Sequence, residues 1–144
     1  MRIVRCGVSG IVQHVAAGQR VIVVLATDGG AAHVPHVDKH LGRDATAEEI
    51  TAHRDFEFGW TVQNLGAQWV IPPVRGRDGA LDDTAADRVL AWVKAQYGAD
   101  VRIKTHSMYD THPDHASLGR ALQRMWDADR STDARFYLAP HKPG

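Results

Sequence analysis

Two histidines and two acids stand within positions 110 to 115, in the run Tyr109-Asp110-Thr111-His112-Pro113-Asp114-His115. His112 and His115 are three residues apart, so a first helical turn can point both rings the same way. Histidine is the commonest metal ligand and titrates near neutrality. Pro113 suits the first position of a helix. The partial positive charge at a helix N-terminus favours the neutral imidazole, the form that binds metal. Asp114 is placed to orient a histidine and raise its basicity. A structural reading competes with this one: Thr111 or Asp110 caps the helix and the histidines are surface groups. The bare His-x-x-His spacing leaves both open.

Weaker candidates lie elsewhere. Thr27-Asp28-Gly29-Gly30 reads as a turn after a strand, or as a loop that lets a ligand approach the backbone. His33, His36 and His40 form a second histidine group, more simply explained as a polar loop than as metal ligands. Arg54 and Glu57 are three apart and read as a surface ion pair. His14, His53 and His141 carry no functional reading. Cys6 has no activating neighbour in sequence and is expected to be buried. No nucleophile elbow, phosphate-binding loop or dinucleotide fingerprint is present.

The elements that must position these residues alternate between helix and strand. A helix over 7–17 ends at Gly18. Residues 20–26 form a strand whose unbroken β-branched run predicts burial on both faces. Residues 31–44 read as a loop. Thr46-Ala47-Glu48-Glu49 matches a capping box and opens a long helix carrying Ile50, Phe56, Phe58, Trp60, Val62 and Leu65, which stops at Gly66. A strand over 68–71 and a loop over 75–79 follow. Thr84-Ala85-Ala86-Asp87 is read as the cap of a helix with Ala86, Val89, Leu90, Val93 and Tyr97 on its core face. A strand over 101–105, a loop over 106–111, a helix from Pro113 with Leu118, Leu122 and Met125 inward, and a strand over 134–139 complete the chain. Four strands alternating with helices predict a three-layer α/β domain with a mostly parallel sheet. In that class ligands sit beyond the carboxyl ends of the strands. The segments there are 27–30, 74–79 and 106–115, which hold many of the chemically capable residues.

Composition narrows the function. The chain has 144 residues, the length of one domain, with 44% apolar and 24% charged residues. Lys plus Arg and Asp plus Glu each total 17, so the net charge is zero, which argues against nucleic acid or an anionic membrane surface as partner. The single cysteine excludes an internal disulfide framework and points to a reducing compartment. No apolar run approaches the roughly 20 residues of a membrane span. Gln13 and His14 interrupt any signal-peptide core, and the expected location is cytoplasmic.

Taken in order, Val21 to Gly30, Arg54-x-x-Glu57 with Leu65-Gly66, Asp78-Gly79-x-Leu81, Thr105-His106 and His112-Pro-Asp-His115 resemble the PIG-L/LmbE family of metal-dependent N-acetylglucosamine deacetylases. The likeness runs from about Cys6 to Gly119. It implies a Rossmann-like domain with one zinc at the strand carboxyl ends. It also implies attack by activated water on the acetamide of an N-acetylated amino sugar, with release of acetate. Carried over residue by residue, His115 corresponds to a zinc ligand. His112 corresponds to the histidine that stabilises the oxyanion and protonates the leaving amine, and Asp114 to the acid that orients it. Arg54 and Asp78 lie in stretches near the sugar pocket.

The family's Ala-His-Pro-Asp-Asp motif, which supplies two further ligands and the general base, is not in the sequence. The first strand that carries it is expected to be missing, which would leave unpaired edges at the sheet centre. The 1–144 domain therefore reads as single but incomplete at its N-terminus. An exposed edge would encourage homo-oligomers. A catalytic zinc usually takes three protein ligands; His106, Asp110 and Asp28 are the residues at hand to replace the lost ones. Three functions stay open: the zinc-dependent deacetylase, hydrolysis of another amide or ester with a different metal, and a catalytically inactive relative that binds a sugar or a protein.

Overall fold

The computed structural model describes residues 2–4, 8–31, 34–98, 100–128 and 133–137, with side chains described from Ile11 onward except Tyr137. Along the chain run β1 (Arg2–Val4), α1 (Val8–Ala16), β2 (Val21–Val24), α2 (Pro35–Leu41), α3 (Ala47–Asn64), β3 (Gln68–Val70), α4 (Asp83–Tyr97), β4 (Arg102–His106), α5 (Pro113–Asp127) and β5 (Ala134–Tyr137). The strands make one five-stranded sheet in the order β3-β2-β1-β4-β5, and every pairing is parallel.

The continuous apolar run of β2 is explained by its surroundings. All four residues are buried. Successive side chains alternate across the sheet: Ile22 and Val24 join a core with Ala86, Val89, Val93, Ile103, Leu118 and Leu122 of α4, β4 and α5, while Val21 and Val23 join a smaller core with Ile11 and Val62 of α1 and α3. Helices therefore cover both faces, and the three-layer parallel α/β class holds. Each fully buried Val, Ile or Leu of these cores contributes about 1.5–3 kcal/mol.

Three details differ from the sequence reading. The central position of the sheet, expected to lack its strand, is occupied by the three residues of β1, which pair with β2 and β4; the Ala-His-Pro-Asp-Asp segment is not among them. Residues expected as a loop contain α2, which starts with Pro35 in its first turn and ends at Gly42 in the left-handed conformation. That helix has no buried residue, so it carries no hydrophobic period to read. The cap of α4 is Asp82, whose side chain accepts from the Ala85 N–H at 2.7 Å, not Thr84, because a competent acid stands two residues earlier. The Thr46–Glu49 capping box is present in both directions. The predicted burial of Cys6 and the candidate ligand His33 lie outside the described residues, as do residues 138 and 139 of the last strand.

Candidate metal centre and its cavity

The carboxyl ends of the strands are tied together by backbone bonds between the loops that follow them. Thr27 and Gly76 form a parallel bridge. The Gly76 N–H donates to the Ala26 carbonyl at 2.8 Å, and the Asp28 N–H to the Gly76 carbonyl at 3.1 Å. Two carboxylates then clasp the 78–81 loop. Asp28 Oδ1 accepts from the N–H groups of Gly30 at 3.1 Å and Asp78 at 3.0 Å. Asp114, 2% exposed, accepts from Gly79 N–H at 2.7 Å on Oδ2 and from Leu81 N–H at 2.9 Å on Oδ1. Burial works against ionisation of Asp28, but these two N–H groups, with Arg75 and Arg77 nearby, hold its pKa below the usual carboxylate value.

The corner between β4 and α5 holds the histidines. His112 is the N-cap of α5: its Nδ1 accepts from the Asp114 N–H at 3.2 Å. Neither Thr111 nor Asp110 fills that position. Asp110 sits one step earlier and accepts from the His112 N–H at 2.9 Å. That backbone bond is the main reason its pKa is lowered despite burial; the His115 and His106 rings add to the effect. The imidazoles of His112 and His115 stack with centroids 4.4 Å apart at 28°, and those of His115 and His106 at 3.7 Å and 2°. The three-residue spacing therefore does bring residues 112 and 115 together, and the fold adds His106 from the end of β4.

This close approach depends on Gly119. A Cβ at that position would fall on the backbone of residues 106–108, so only glycine lets α5 settle against the segment that carries His106. Gly29, in the left-handed conformation at φ 67°, plays the matching part at the end of β2: a Cβ there would lie 2.8 Å from Arg54 Nε.

A cavity of about 390 Å³ opens over these loops. Its wall includes Asp28, Gly29, Arg54, Glu57, Asp78, His112, Asp114 and His115. All five residues singled out by the family likeness thus line one cavity. Asp114 accepts from the Gly79 and Leu81 amides, one on each oxygen, so it fixes the loop that carries Asp78. The expected Arg54–Glu57 pair is replaced. Glu57 turns to His53, at 3.0 Å, and to His36, at 3.9 Å.

One group of possible metal ligands belongs to this corner. His106, Asp110 and His115 each offer a ligand atom, all within 4.8 Å of one another. Tetrahedral N and O ligands at about 2.0–2.2 Å from one ion stand roughly 3.3 Å apart, and His115 Nδ1 lies 3.4 Å from Asp110 Oδ1. Two imidazoles and one carboxylate held ionised are a donor set that zinc-class ions accept. These donor types suit a divalent metal, and the His106 and His115 rings, parallel at 3.7 Å, would turn out of their stack to bring both lone pairs to one ion. Only His115 was assigned from the sequence likeness; His106 and Asp110 were among three possible replacements, and Asp28, the third, is engaged by the 78–81 loop.

Residues 4–126 match the PIG-L family, described as GlcNAc-PI de-N-acetylase. The chain belongs to the PIG-L family. Among solved structures, N,N'-diacetylchitobiose deacetylase from Pyrococcus horikoshii has a similar fold, with a TM-score of 0.58 and 20% sequence identity over 83% of this chain. This PIG-L chain spans 43% of that protein's length. No individual curated protein matches it in sequence. Among the described residues no helix is long and apolar enough to cross a membrane.

Proposed function

We propose that this PIG-L chain removes the acetyl group from an N-acetylated amino sugar of the N-acetylglucosamine type, using a zinc ion held by His106, Asp110 and His115. The convergence of those three donors beside the cavity carries the reading, together with the family. When bound, zinc supplies a Lewis acid that polarises the carbonyl and acidifies water.

The chain's own residues provide the rest. Because His112 Nδ1 accepts the Asp114 N–H, a neutral His112 ring carries its proton on Nε2. That N–H donates to the oxyanion as water adds to the acetamide carbon, and its proton stays on the ring. Asp28, kept ionised on the same cavity wall, takes the proton that water gives up and returns it to the departing nitrogen as the C–N bond breaks, so both groups regain their starting state. Arg54 and Asp78 offer a cation and a carboxylate to the sugar hydroxyls. Asp114 is a positioning residue, acting through the 78–81 loop. The domain spans the chain, and the expected setting is cytoplasmic.

The test is acetate release from an N-acetylglucosamine conjugate by the zinc-loaded protein, compared with Mn, Co and Fe loading. Zinc-dependent release supports the assignment. Sugar binding without release under any metal contradicts it and favours a second reading, a non-catalytic relative, which the absent Ala-His-Pro-Asp-Asp motif supports.

A further inference from the structure

We propose that His36, His53 and Glu57 form a second divalent-metal site, separate from the corner between β4 and α5, that fastens α2 to α3 at the cavity rim. The three side chains come from two elements and share no residue with the first centre. Their ligand atoms lie within 4.8 Å of one another. His36 Nε2 and His53 Nε2 are 2.9 Å apart, His53 Nε2 and Glu57 Oε1 3.0 Å, and His36 Nε2 and Glu57 Oε1 3.9 Å. Those separations bracket the roughly 3.3 Å expected between tetrahedral ligands of one ion.

The ring geometry agrees. The two imidazoles meet edge to face, with centroids 4.9 Å apart at 66°, so their ring planes differ while their Nε2 atoms meet. Only one proton fits between two facing nitrogens, whereas an ion accepts both lone pairs and the carboxylate. His53 and Glu57 are four apart on α3, the spacing that stacks ligands on one helix face. Two nitrogens and one oxygen select zinc, cobalt, nickel or copper over magnesium or calcium.

The site has a structural consequence. No residue of α2 is buried; its apolar anchorage is limited to Val34 at the N-cap and half-buried Val37, so an ion bridging His36 to α3 would supply a further tether. Glu57 also lines the cavity that holds His112 and His115, so an occupied site would neutralise one acid on its wall.

The test uses the full chain with His115→Ala to weaken the first centre, titrated calorimetrically with Zn2+ and spectroscopically with Co2+. The variant is expected to bind one ion, and Zn2+ to slow tryptic cleavage at Lys39 in α2. Adding His36→Ala should weaken binding at least tenfold and abolish that protection. His36 is exposed, so its removal leaves the fold intact by circular dichroism; His53→Gln provides a second, conservative disruption. Loss of all binding in His115→Ala alone, or binding that survives both His36→Ala and His53→Gln, would overturn the proposal.

Discussion

At the residue scale, His112 and His115 stand three apart in sequence but hold different places in the fold. His115 belongs to the ligand group with His106 and Asp110, whereas His112 caps α5. Replacing His115 with Ala should therefore remove the corner metal, measured as a loss of one ion per chain after dialysis, and activity with it. His112→Ala should keep that metal and still lose most acetate release, on the order of 10²-fold as for a positioned oxyanion donor. Asp114→Asn tests the clasp. Its amide NH2 would face the N–H of Gly79 or Leu81, leaving a buried donor unsatisfied. A loss of about 1–3 kcal/mol is expected in urea unfolding. The His-x-x-His motif pointed to side chains that the fold brings to one corner, but not to what Asp114 grips, because its partners lie 33 and 35 positions away. Likewise nothing local links His36 to His53, which are 17 apart.

At the element scale, the site depends on how closely α5 approaches the end of β4. Gly119→Ala would push its new methyl into the backbone of residues 106–108. The expected result is overpacking of about 1–3 kcal/mol in denaturant unfolding, together with weaker metal binding as His115 draws away from His106. Gly119→Ala with unchanged stability and metal affinity would show that the approach is not needed. The periodic elements were legible from sequence: β2 by its β-branched run, α3 by its capping box, α4 and α5 by their apolar faces. α2 was missed for the reason its structure gives, an absence of buried residues; Pro35 and Gly42 were the local signals available. The three residues of β1 are too few to carry a period of their own.

At the scale of the whole molecule, acidity should erode the fold through the same carboxylates that build the site. Asp28 and Asp110 have lowered pKa values, and Glu49, hydrogen-bonded to Arg43, falls to about 2. A carboxyl whose folded pKa is depressed binds its proton more readily in the unfolded chain. Its contribution is complete above the unfolded value of about 4 and is lost as pH falls through the folded value. The urea midpoint should therefore be flat above about pH 5 and decline in acid. Asp28→Asn should lower the plateau and flatten the decline; a variant that keeps the full acid slope would contradict this origin. The three-layer parallel class followed from alternating elements, and the convergence of the loops at 27–30, 74–79 and 106–115 followed from that class.

The central claim is that the PIG-L corner between β4 and α5 holds a metal even though the sequence lacks the Ala-His-Pro-Asp-Asp motif. Anomalous diffraction at the zinc edge from crystals of the zinc-loaded protein tests it directly. The account predicts a peak at about 2.0–2.2 Å from ligand atoms of His106, Asp110 and His115. A zinc-loaded crystal with no density at that corner, or with zinc bound there through other side chains, would contradict it.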